Sequence, residues 1–127
     1  MIKHIFSTAL TLIFTFECAS AQFISQNSTV KDLKTGTIWL RCSVGQAWDP
    51  ALNTCTGKVL QINQEQVKFV VSEAARQLGG EWRLPTRLEL ESLVCKECEP
   101  PKINTKYFPN LSPEAYWTSD KNRMNTK

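Results

Sequence analysis

Gly79-Gly80-Glu81-Trp82-Arg83-Leu84-Pro85-Thr86-Arg87-Leu88-Glu89-Leu90 is the stretch whose reading decides the fold. Two adjacent glycines supply the left-handed backbone geometry in which a helix stops. Trp82 and Leu84 alternate with Glu81 and Arg83, the pattern of a short strand with one buried face. Pro85 disfavours helix at the residue before it, and Thr86 with Glu89 three positions on is a capping box that starts a new helix. Helix, short strand and helix are therefore expected in succession.

Working upstream, Val67, Val70, Val71, Ala74, Ala75 and Leu78 recur at three- and four-residue steps. That spacing predicts an amphipathic helix, with Asn63 as its N-cap and Lys68, Glu73 and Arg76 facing water. Downstream, the second helix is expected from Arg87 to about Val94, with Leu90, Leu93 and Val94 inward. Residues 30–32 and 37–41 read as two strands around a Lys34-Thr35-Gly36 turn, where Gly36 suits a positive φ. Ile38 and Leu40 fall on one face of the second strand, Trp39 and Arg41 on the other. Residues 22–29 are polar and aperiodic, read as a flexible leader or an edge strand. Residues 43–57 read as a loop plugged by Trp48, residues 58–62 as a strand, 96–113 as irregular, and 116–118 as a last strand. Residues 121–127 form a polar tail.

Residues 1–21 are set apart by a positive start at Lys3 and His4, an apolar run from Ile5 to Phe16, and the small residues Ala19-Ser20-Ala21. This is the pattern of a signal peptide cleaved before Gln22. The apolar run is too short to span a bilayer, so no membrane span is expected after cleavage. Lys3 and Glu17 leave together, and the net charge stays at the +3 of the whole chain. So mild a balance argues against a nucleic-acid partner. Four cysteines remain, Cys42, Cys55, Cys95 and Cys98, and an even count in a small exported chain reads as a disulfide framework. Of the three possible pairings, Cys42–Cys55 and Cys95–Cys98 is favoured, because the first closes a loop rich in Gly, Pro and Asn and the second is a tight local bridge.

The single histidine, His4, leaves with the leader, which removes Ser-His and Cys-His nucleophile pairs and the commonest metal ligand. Cys95-Lys96-Glu97-Cys98 has the spacing of a redox pair. Reactive pairs sit at a helix N-terminus, where the dipole lowers the thiol pKa, whereas this one follows a helix C-terminus. Glu89, Glu91, Glu97 and Glu99 read as a solvated acidic face, with no metal or cofactor expected. Trp39, Trp82 and Trp117 lie in strand-like segments and read as core. Trp48, in an open loop, is the tryptophan expected to meet a ligand, beside Arg83, Arg87, Lys96, Lys102 and Lys106 as candidate oxyanion partners.

Several pieces in order resemble one family. Trp82-Arg83-Leu84-Pro85-Thr86 with Glu89-Leu90 and Leu93-Val94 resembles the Lcl C-terminal domain family, also known as DUF1566. Asp32-Leu33-Lys34-Thr35-Gly36-Thr37-Ile38-Trp39 is similar to the family's opening segment. Residues 41–48 with Cys55-Thr56-Gly57 resemble a cysteine-bearing insertion, and Ile103-Asn104, Phe108-Pro109-Asn110 and Tyr116-Trp117-Thr118-Ser119 resemble its later landmarks. The likeness covers residues 30–120. It implies an α+β, C-type-lectin-like domain, two helices packed on short antiparallel strands and stapled by disulfides. It further implies a secreted, periplasmic or cell-surface bacterial protein, and a non-enzymatic contact with anionic or sulfated glycans like that of a collagen-like adhesin in the family. Family members continue past the Tyr-Trp segment with further strands, so a reduced or truncated form with an uncovered sheet edge is the structural expectation. The rival readings are a thiol-based enzyme using Cys95 and Cys98, and a truncated remnant without activity.

Overall fold

The computed structural model describes residues 21–121. Its elements are β1 (Phe23–Gln26), β2 (Thr29–Asp32), β3 (Ile38–Leu40), β4 (Ala47–Asp49), β5 (Thr54–Thr56), α1 (Val67–Leu78) and α2 (Arg87–Glu91). The class is α+β, with short antiparallel strands, two helices and two disulfides.

β1, β2 and β3 form one antiparallel sheet in that order, with Ser25 opposite Val30 and Val30 opposite Trp39. Residues 22–29 are thus not a flexible leader. They hold the edge strand of the sheet, anchored because Phe23 is buried against Tyr107 and edge-on to Phe108, with ring centroids 5.2 and 5.8 Å away. Phe23, Val30, Leu93 and Phe108 make the core, and Trp39, Leu90, Ile103, Tyr107 and Leu111 pack around them. The buried face of β3 is therefore the one carrying Trp39 and Arg41, and Ile38 faces out.

The β2–β3 turn is shaped by Asp32, which is wholly buried. Its carboxylate accepts hydrogen bonds from Lys34 N–H at 2.9 Å and from Gln22 at 3.5 Å, and its carbonyl accepts from Gly36 N–H at 2.8 Å. Gly36 sits at φ +75°, as the turn demands. β4 and β5 pair as a hairpin with Trp48 opposite Cys55, where a plain loop was expected. The hairpin is made by local chemistry: Asp49 Oδ1 accepts from Ala51 and Leu52 N–H at 2.9 and 3.1 Å, and Asn53 takes the left-handed conformation at φ +51°.

The helices keep their places with shifted ends. Asn63 and Gln66 bond each other reciprocally, N–H to side-chain oxygen, at 3.0 and 3.1 Å, but the N-cap is Gln66 and not Asn63, and α1 begins at Val67. Gly79 N–H donates to Ala75 O and ends it. α2 carries the expected capping box: Thr86 Oγ1 accepts from Glu89 N–H at 3.2 Å, and Glu89 accepts from Thr86 N–H at 2.8 Å. Leu90 and Leu93 turn inward as expected, but Val94 is 55% exposed, bridging to Ile103 in a one-residue ladder.

Residues 58–62, 81–84 and 116–118 form no strands. Each instead makes isolated hydrogen bonds: Leu60 N–H to Val44 O, Trp82 Nε1 to Gly79 O, and Trp117 Nε1 to Ile62 O. α1 stands outside the main core cluster, and among its residues only Val67 is buried.

Candidate functional site

Arg41 is the residue the sequence reading did not single out and on which the middle of the molecule turns. It directly follows β3 on the inward face and is 4% exposed. Its guanidinium donates to three backbone carbonyls, those of Tyr107 and Lys106 at 2.9 Å and of Asn27 at 3.0 Å. Its Cζ lies 4.0 Å from the centroid of the Trp48 ring. Burial lowers its pKa. The signal for this role was legible in the alternation: Arg41 shares a face with Trp39, which packs on the core.

Trp48 accordingly is not an open-loop residue. It sits half-buried on β4 beneath Arg41, and its ring nitrogen is buried without a hydrogen-bond partner among the described residues. The most exposed tryptophan is Trp117, at 42%. Trp82 donates to Gly79 O at 2.8 Å and so holds the glycine corner.

The two candidate arginines are committed to carboxylates. Arg83 forms a two-point pair with Glu89 at 2.7 and 2.9 Å, and that hydrogen-bonded guanidinium, aided by Thr86 N–H, holds the Glu89 carboxyl down at about 2. Arg87 pairs with Glu91 at 2.6 Å, while its backbone N–H donates to Asp120 at 2.5 Å. Lys96 and Lys102 border the Cys95–Cys98 bridge. Lys102 folds back across it, with Nζ 2.7 Å from Cys98 O and its own carbonyl accepting from Cys95 N–H. Lys106 stands 5.5 Å from the Tyr107 ring centroid. The structure therefore gathers Lys96, Lys102 and Lys106 on one irregular run after α2. It links Lys106 to Trp48 through Arg41 and leaves Arg83 and Arg87 with their own partners.

Cys42–Cys55 and Cys95–Cys98 are both closed, with Cα separations of 5.5 and 5.3 Å. Among the described residues, no group of three or more His, Cys, Asp or Glu side chains could hold a metal ion, and no helix is long and apolar enough to cross a membrane.

A concavity lies elsewhere. A cleft of about 720 Å³ is lined by Gly45, Gln46, Gly57, Lys58, Gln61, Asn110 and Ser112, with Val59 and Leu60 as its aliphatic wall. Gly45 has φ +98°, and a Cβ there would come within 2.6 Å of Leu60 N and Lys58 O, so only glycine lets that wall lie down. None of the six candidate ligand residues lines it. A second, smaller groove of about 320 Å³ is largely apolar and lies along α1, between Val67, Lys68, Val71 and Ser72 on one side and Arg83 and Leu84 on the other.

The sequence profile of the Lcl C-terminal domain matches residues 28–127. The chain belongs to the Lcl C-terminal domain family. No curated protein and no solved structure matches it. The Lcl profile begins inside the β1–β2 turn, so β1 with its buried Phe23 lies ahead of the matched segment. The opening motif of the family falls on the buried Asp32 turn and on β3, and the Trp-Arg-Leu-Pro-Thr motif falls on the α2 cap. In this Lcl domain both motifs act as structural corners. The signal peptide assigned to residues 1–21 lies, save for Ala21, outside the described residues, as does the tail beyond Lys121.

Proposed function

We propose that the protein is an exported, non-catalytic binding domain that recognises an anionic or sulfated glycan at a bacterial surface. The observation that carries the non-catalytic part is that all four cysteines between residues 22 and 127 are engaged in disulfides, which leaves no thiolate for a free-thiol enzyme. Cys95–Cys98 also follows α2, away from any helix N-terminus that would lower a thiol pKa. Two such bridges in so small a domain suit an oxidising compartment, which supports export.

The glycan part rests on the family resemblance and on which charges remain available. Lys96, Lys102 and Lys106 have no carboxylate partner among the described residues, whereas Arg83 and Arg87 are neutralised by Glu89 and Glu91. The lysines are accordingly the oxyanion contacts in this reading, and the arginines hold the scaffold.

A glycan array carrying sulfated, carboxylated and neutral oligosaccharides, probed with the purified protein at low and at raised ionic strength, tests it. Binding restricted to the anionic glycans and lost at raised salt supports the reading. No binding to any of them removes the glycan from it.

A further inference from the structure

The cleft bounded by the β4–β5 hairpin, residues 57–61 and residues 110–112 combines a fixed frame with unspent polar groups. The frame is built from the backbone outward. Leu60 N–H donates to Val44 O at 2.8 Å, and Gln46 spans the gap, accepting from Ser43 N–H at 3.2 Å and donating to Asn110 O at 3.1 Å. Asn110 in turn donates through Nδ2 to Thr54 Oγ1 and Cys55 O at 3.0 and 2.9 Å. The Tyr116 hydroxyl closes the side, 2.9 Å from Ser43 Oγ and accepting from Ser112 N–H at 3.1 Å. The Cys42–Cys55 disulfide ties the hairpin beneath. Walls held this way are already ordered, so a ligand does not have to order them.

What the frame leaves over is specific. Asn110 spends both its donor bonds on the hairpin, and its Oδ1 accepts nothing among the described residues. Ser112 Oγ accepts from Glu114 N–H, which leaves its O–H free to donate outward. Gln61 and Lys58 are among the residues that line the cleft, their side chains have no partner among the described residues, and Lys58 is its one cationic residue. Val59 and Leu60 add an aliphatic face. Amide and hydroxyl groups around an aliphatic wall match the hydroxyls and the C–H face of a pyranose, and a lone ammonium matches one acidic substituent on it.

We infer that this cleft is the saccharide subsite of the domain, with Lys58 on a sulfate or carboxylate of the sugar and Gln61, Asn110 and Ser112 on its hydroxyls. The inference rests on the reading of the protein as a glycan-binding domain and gives it a place and a mode. Lys96, Lys102 and Lys106 lie outside the cleft and act on further charges of the same chain.

The test uses the ¹⁵N-labelled protein with a heparin-derived tetrasaccharide and its desulfated counterpart. The sulfated probe is expected to shift the amides of Gly45, Gly57, Gln61 and Ser112. Lys58→Ala is expected to weaken it about tenfold, the loss of one charge-assisted hydrogen bond. Gln61→Ala and Ser112→Ala should weaken the sulfated and desulfated probes alike, since they act on hydroxyls. Thermal melting of each variant guards against misfolding, and all three side chains lie at the cleft surface. Shifts confined to residues 96–106, with Lys58→Ala binding as the parent does, overturn the cleft and leave glycan recognition standing. No shift with either probe while the array is positive for other sugars overturns the subsite. A blank array as well removes the broader reading with it.

Discussion

Arg41 shows how a charge is kept in a small interior without an opposite charge. It is in no ion pair among the described residues; three carbonyl dipoles and the face of Trp48 take the place of a carboxylate. The planar fork of donors is what makes this possible, because one compact ammonium cannot reach carbonyls from residues 27, 106 and 107 at once. Arg41→Lys should therefore cost about 2–4 kcal/mol in urea unfolding, since hydrogen bonds from a charged group contribute roughly 1.5–3 kcal/mol each. A loss below about 1 kcal/mol would mean the fork is dispensable. Glu89 makes the opposite case at the surface. Its folded pKa, about 2, lies below the ordinary 4.5, chiefly because of the Arg83 hydrogen bonds and then Thr86 N–H. Its contribution to stability is complete above about pH 4.5 and is lost as pH falls toward 2. Glu89→Gln is expected to melt lower than the parent at neutral pH, with the two melting temperatures converging as pH is lowered through that window. A gap that stays constant down to pH 2 would show that charge plays no part.

At the scale of elements, local signals were legible in the sequence and those needing a distant partner were not. The α2 cap was legible because Thr86, Glu89 and Pro85 fix it within five residues. The β2–β3 turn was legible for the same reason, through Gly36. The segments 81–84 and 116–118 read like strands, but a strand needs a neighbour, and the hydrogen bond from Ser119 to Pro85 lies just past the ends of both. The β4–β5 hairpin was hidden by its brevity: three residues a side cannot show a period, and its turn is set by the Asp49 and Asn53 side chains. Both disulfides were legible from count and spacing, and they differ in what they constrain. Cys42–Cys55 closes a separation of 13 residues and Cys95–Cys98 one of 3. Restriction of the unfolded chain contributes about 3 kcal/mol for the first and about 2 kcal/mol for the second. The Cys42→Ser/Cys55→Ser pair should lower the denaturation midpoint more than Cys95→Ser/Cys98→Ser does. It should also broaden the amide resonances of Gly45 and Gly57, because the hairpin it ties is one wall of the cleft. The reverse order of midpoints would place the stabilising staple after α2.

For the molecule as a whole, stability is unevenly spread. The sequence correctly marked the apolar stripe of α1, but a stripe states what a helix can bury and says nothing of whether a surface meets it. Among the described residues that meeting is slight. Val67 is buried, while Leu78 is 49% exposed and Phe69, off the stripe, 72%. The core is assembled instead from β1, β2, β3, α2 and the run from Ile103 to Leu111. A helix of 12 residues with only Val67 buried and Val70, Val71, Ala74 and Ala75 half-buried is weakly held, so α1 should open by local melting, well below the free energy that opens the whole fold. β2, with Val30 and Asp32 at 0% exposure, should open only when everything does. Native-state hydrogen exchange is therefore expected to run on the order of a hundredfold faster at Val70, Val71 and Ala74 than at Val30 and Asp32. Phe69→Gln, on the exposed side, should leave the unfolding midpoint of the protein unchanged. Equal protection of α1 and β2 would mean that the stripe is covered in solution. Protection that rose with protein concentration would identify the cover as a second copy of the chain, because mass action stabilises whatever association buries.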